Sequence, residues 1–97
     1  MYSTMKEVRK EIDTIDKELV LILARRQKCI ELAALIKDDK NKIIDEERIE
    51  DVIRNVNKFS LTCGLSKEIS EPLWRKLIDL SIEHEFKEFS RLTKEKV

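Results

Sequence analysis

Of the 97 residues, one is glycine and one is proline, at Gly64 and Pro72, so the first 63 positions carry neither chain-breaking residue. A β-rich fold needs many tight turns, and turns draw on Gly, Pro and Asn. This chain can supply very few. An all-α fold follows, and the length allows a single domain over residues 1–97.

Charge excludes further classes. Twenty Lys and Arg balance twenty Asp and Glu, so the chain has no net charge and lacks the basic excess of a nucleic-acid binder. The longest apolar run, Leu19 to Ala24, is far short of a membrane span. The N-terminus shows no basic segment followed by an apolar one, and the cytoplasm is the expected compartment. Cys29 and Cys63 stand alone, without a second ligand at zinc spacing, so neither a metal site nor a disulfide framework is expected.

The first segment reads Met5, Val8, Ile12, Ile15, Leu19, Ile22, Arg26, Cys29, Ala33 and Ile36, in alternating steps of three and four. This is the heptad pattern of one long helix with a single seam. Ser3 or Thr4 can cap its start, with Glu7 three residues after Thr4 completing a capping box, and Asp38 to Lys42 is the first plausible stop, giving a helix over roughly residues 4 to 37. Asp45 suits the N-cap of a second helix, with Glu46 and Glu47 at its positive end. Ile49, Val52, Ile53 and Val56 form its apolar stripe. That helix should fade near Phe59, with Gly64 marking the loop. The third helix starts at Ser66 or Ser70. Pro72 favours the later start or a bend. Leu73, Leu77, Ile78, Ile82, Phe86 and Phe89 carry its pattern onward.

These lengths imply a partner. The first helix would be about 50 Å long at 1.5 Å per residue, whereas a compact chain of this size has a radius of gyration of about 13 Å. Two shorter helices cannot cover that seam, and an exposed apolar stripe of such length is a liability. A homodimer of paired long helices is expected.

The informative residues are charges that interrupt apolar stripes. Arg26 occupies a seam position, where it needs either an ion pair or a ligand. Lys37 follows eleven residues later, nearly on the same face; a helix-end lysine meeting the negative pole is its ordinary role. Glu85 falls among Trp74, Ile78, Ile82, Phe89 and Leu92. Desolvation there favours a protonated carboxyl group, which can donate a hydrogen bond, although a pair with an inward Lys or Arg is as reasonable. Ser81 lies one turn earlier. Asp45 and Arg48 open the second helix, where cap and surface arginine suffice to explain them. Arg9 lies about 25 Å from Arg26 along the helix, and only an antiparallel partner could bring a second Arg9 near it. His84 is read as a surface or interface residue. Together these residues fit a pocket for a small dianion. With no nucleophile–base pair and no Gly-rich phosphate loop, any chemistry would rest on positioning and electrostatics.

The segments Arg9-Lys-Glu-Ile-Asp-Thr-Ile-Asp16 and Leu23-Ala-Arg-Arg26, then Lys37, Asp45-Glu-Glu-Arg48 and Ser81…Glu85, together resemble the all-helical class of chorismate mutases over roughly residues 5 to 90. The resemblance implies three helices per chain in an intertwined homodimer whose two active sites each use both chains. It implies the Claisen rearrangement of chorismate to prephenate, without a cofactor, in aromatic amino-acid synthesis by the shikimate pathway. Carried over by position, Arg9 from the partner and Arg26 would bind the two substrate carboxylates. Lys37 and Glu85 would hydrogen-bond the ether oxygen. Arg48 and Ser81 would contact carboxylates, and Asp45 would lie near the ring hydroxyl.

Two departures bear on the substrate and the site. Many relatives carry Glu directly after the second-helix arginine, against the ring hydroxyl; here that residue is Ile49. Isochorismate pyruvate-lyases of the same fold also have an apolar residue there, so that activity is the alternative. Many bacterial members have Gln at the position of Glu85, and Glu there implies a protonated acid. The linker from Lys37 to Asp45 is about one residue short, which makes Asp45 a weaker match than Arg48. A reading of a different class is a helical dimerisation module without catalysis, with Arg26 ion-paired and no cavity.

Overall fold

The structure, a computed structural model, describes residues 3–95. These form α1 (Met5–Ile36), a 3₁₀ turn (Lys40–Lys42), α2 (Glu46–Cys63) and α3 (Lys67–Glu95), with no strand among the described residues. None of the helices is long and apolar enough to cross a membrane.

The ends of α1 follow from its polar residues. The Thr4 side chain accepts the Glu7 backbone N–H at 3.2 Å, satisfying a donor that the helix itself cannot. The return bond goes one residue further back than a capping box requires: the Glu7 carboxylate accepts from the Ser3 backbone N–H at 3.2 Å. Helical geometry stops at Lys37, whose backbone is extended. Asp39 then caps the 3₁₀ turn through Asn41 N–H at 2.9 Å, and buried Ile43 anchors the turn to the core.

Asp45 opens α2 by accepting Arg48 N–H at 3.0 Å. The helix runs to Cys63, one turn past Phe59, where the fading apolar pattern had suggested an end. It ends instead where Gly64 adopts φ 79°, a left-handed conformation that costs glycine little. Leu65 N–H returns to the Ser60 carbonyl at 3.0 Å, the longer-range bond of a Schellman closure. Helix α3 takes the earlier of its two expected starts. Ser66 O accepts from Ile69 and Ser70 N–H, each at 3.0 Å. Pro72 therefore sits in the second turn of α3 and gives the Glu68 carbonyl no hydrogen bond. Because Pro72 is exposed, water can serve that carbonyl.

Helices α2 and α3 form an antiparallel hairpin pinned by polar contacts. Ser70, fully buried, donates to Asn57 Oδ1 at 2.9 Å. Asn57 in turn donates to Glu71 at 3.1 Å. Arg75 meets both oxygens of Glu50 at 3.1 Å. Helix α1 packs against α3 through its C-terminal half. Its inward face there is Ile30, Ala33, Ala34 and Lys37, while Cys29 and Ile36 point outward. Of the heptad positions in this half, Arg26 and Ala33 thus turn towards α3 while Cys29 and Ile36 do not, as expected where a straight helix drifts about 20° per heptad from a 3.5-residue repeat.

Among the described residues the buried apolar ones number four: Ala34, Ile43, Ile53 and Ile78. The radius of gyration is 17.1 Å and the longest extent 59 Å. Accessible surface totals 8211 Å², against about 5,800 Å² for a compact monomer of this mass. Much of the excess lies on the N-terminal half of α1, where Met5, Ile12, Ile15, Leu19 and Ile22 are all exposed.

Candidate active site

The C-terminal half of α1, the 3₁₀ turn, the first turns of α2 and the second half of α3 enclose a cavity of about 400 Å³. Its polar lining is Arg26 and Lys37 from α1's face and end, Lys42 from the turn, Asp45 and Arg48 from the start of α2, and Ser81 and Glu85 from α3. Ile30, Ala33, Ile43, Ile49, Val52, Ile78 and Ile82 supply apolar walls. Helical geometry explains the convergence. Eleven residues are close to three turns, so Arg26 and Lys37 share a face, and Ser81 and Glu85 are one turn apart. The Asp45 cap fixes the first turn of α2 and with it Arg48.

Arg26 donates to Ser81 Oγ at 2.6 Å, and the Ser81 hydroxyl in turn donates to the Leu77 carbonyl at 2.7 Å. No carboxylate lies within ion-pair distance of Arg26 among the described residues. Burial holds its guanidinium below the ordinary arginine value, and the neighbouring Arg48 charge adds to that effect. A half-buried cation with only a hydroxyl partner and a like charge nearby is set up to receive an anion.

Glu85 is 5% exposed, which is unusual for a carboxylate unless paired. Its partner is Lys37, with Nζ 2.7 Å from Oε2. The pair links the end of α1 to α3. Glu85 thus has the inward cation that its position on an apolar stripe called for, while Arg26 has no such partner.

Six of the seven residues singled out from the sequence therefore surround one cavity. The seventh, Arg9, lies on the exposed N-terminal half of α1, about 25 Å from Arg26 along the axis. Lys42 was overlooked because its polar neighbours read only as a helix stop. His84 is half-buried between α1 and α3, its ring Nε2 2.6 Å from Glu31. That hydrogen bond, helped by Gln27, holds the Glu31 carboxyl below its ordinary range. Cys29 and Cys63 are free and exposed. Among the described residues no three His, Cys, Asp or Glu side chains gather as a metal site would require.

A family model described as chorismate mutase type II matches residues 8–86. The chain belongs to the chorismate mutase type II family. Chorismate mutases are isomerases, and this chain is an enzyme of that class. The matched span contains Arg9 and every polar residue of the cavity. Comparisons with curated proteins and with solved structures gave no match.

Proposed function

We propose that this chorismate mutase domain, a single domain over residues 1–97, works in the cytoplasm as an intertwined homodimer. Each of its two sites converts chorismate to prephenate in aromatic amino-acid synthesis. The observation that carries the reading is the cavity itself: Arg26, Lys37 and Arg48 converge on one half-open cavity with Ser81 and Glu85, in the order of the family motif.

The reaction is unimolecular. The ether C–O bond breaks while a C–C bond forms between the side-chain terminus and the ring, and no proton, electron or cofactor is exchanged. Catalysis therefore reduces to holding the folded conformer and stabilising charge on the departing oxygen. Arg26 and Arg9 of the partner subunit hold the two carboxylates, with Ser81 and Arg48 assisting. Lys37 and Glu85 separate to admit the ether oxygen between them, replacing the contact they make with each other. Glu85 must carry its proton at that moment, because a carboxylate cannot donate. Asp45 lies beside the ring hydroxyl.

Dimerisation is supported by the uncovered apolar seam of α1 and by the roughly 2,400 Å² of surface beyond a compact monomer's. Obligate dimers bury areas of this order. It also solves the problem of Arg9, which cannot reach the cavity of its own chain.

Isochorismate pyruvate-lyase activity is a second reading. Ile49, an apolar residue in the cavity wall, offers the ring hydroxyl no hydrogen bond. Incubating the purified protein separately with chorismate and isochorismate and identifying the products tests both. Prephenate from chorismate is expected. Release of salicylate and pyruvate from isochorismate, with chorismate left unchanged, would replace the first reading by the second.

A further inference from the structure

The 3₁₀ turn contributes one cation to the cavity that the mechanism above does not use. Lys42 lines the space together with Arg26, Lys37 and Arg48. Its side chain is 62% exposed, against 28% for Lys37 and 6% for Glu85, so it stands at the rim. The turn beneath it is well fixed. Lys42 N–H returns to the Asp39 carbonyl at 3.0 Å, and Ile43 N–H returns to the Lys40 carbonyl at 3.2 Å. Ile43 itself is buried beside the cavity.

We propose that Lys42 leaves Asp38 to bind a carboxylate of the dianionic substrate at the cavity rim. This rests on reading the cavity as a chorismate site. In the free protein Lys42 Nζ lies 2.8 Å from Asp38 Oδ1, and the Asp38 side chain is 81% exposed. Exposed pairs of this kind contribute little, because water solvates both partners when they separate. An incoming carboxylate therefore competes for Lys42 at small cost. Asp38 also keeps Lys42 firmly cationic.

Asp38 blocks Lys42 when the site is empty and frees it when substrate arrives. Lys42 thus adds affinity at the entrance, away from the Lys37–Glu85 pair.

The test is steady-state turnover of chorismate by Lys42→Ala, Asp38→Asn and Lys40→Ala, with urea unfolding of each. Lys40 belongs to the same turn but is not part of this cavity's lining. Lys42→Ala should raise KM about three- to tenfold with kcat nearly unchanged, the size expected of one rim contact to a charged group. Asp38→Asn should lower KM, and Lys40→Ala should leave it unchanged. A purely structural ion pair would make Lys42→Ala and Asp38→Asn act alike, and general surface electrostatics would make Lys40→Ala act like Lys42→Ala; either result overturns the proposal. If Lys42→Ala does not fold, the fall in KM of Asp38→Asn against the Lys40 control decides. An inactive wild-type protein would instead overturn the chorismate reading on which the proposal stands.

Discussion

Replacing Arg26 with methionine should separate catalysis from stability. Arg26 is half-buried, faces the Arg48 charge, and has one neutral partner, Ser81, at 2.6 Å. Removing it strands no polar atom, since Ser81 still donates to the Leu77 carbonyl, and methionine fills similar volume. The lost hydrogen bond costs on the order of 1 kcal/mol, offset by relief of desolvation and of repulsion from Arg48. Arginine is charged at every working pH, so this balance does not vary with pH. The unfolding free energy should stay within about 1 kcal/mol of wild type. Catalysis behaves differently. A preorganised cation that holds a substrate carboxylate in the reactive conformer contributes about 3–4 kcal/mol to transition-state binding, or roughly 10²- to 10³-fold in kcat/KM. The assay is chorismate consumption alongside urea unfolding. A variant within threefold of wild-type kcat/KM, or one destabilised by more than about 2 kcal/mol, would mean that Arg26 is a structural residue and that the reasoning from its missing partner is wrong.

Asn57→Ala should destabilise the α2–α3 hairpin by about 1–3 kcal/mol, because fully buried Ser70 loses its acceptor; chemical denaturation reads this, and a change within error would mean that Ser70 finds another partner. The Glu31–His84 contact should make stability depend on acid. Glu31 is lowered on folding from its ordinary value of 4.5, chiefly by the His84 hydrogen bond, so its contribution is complete above that pH and lost as pH falls through the lower folded value. Unfolding midpoints of wild type and His84→Ala should therefore differ at pH 7 and converge towards pH 3; a gap that persists in acid would point to packing alone.

The sequence made the helices and most of the site readable for identifiable reasons. Thr4, Asp45 and Gly64 are local signals, and each terminates a helix through a backbone group within five residues. The spacing of Arg26 and Lys37, and of Ser81 and Glu85, follows from the helical repeat alone. Which residues of α1 beyond Arg26 meet α3 does not follow from the heptad pattern, because heptad drift accumulates with length and packing on α3 selects Ile30, Ala34 and Lys37 beside Ala33. The start of α3 was ambiguous because Pro72 is tolerated in an exposed second turn, where water substitutes for the missing donor. Lys42 had no periodic signal at all; only the fold of the turn around Ile43 carries it to the cavity. The choice of partner is equally nonlocal: Lys37 for Glu85, and a hydroxyl for Arg26, depend on how α1 crosses α3.

The central claim is that each site joins Arg26 of one chain to Arg9 of the partner subunit around a dianion. Co-expression of Arg9→Ala with Arg26→Ala, each nearly inactive alone, tests it. In a mixed dimer one site would then have both arginines intact and the other neither. With random pairing, half the dimers are mixed and half of their sites are whole, so about one quarter of wild-type activity should return. If both arginines served one site within a single chain, no site in any dimer would be whole, and mixing would recover nothing above the sum of the two parents.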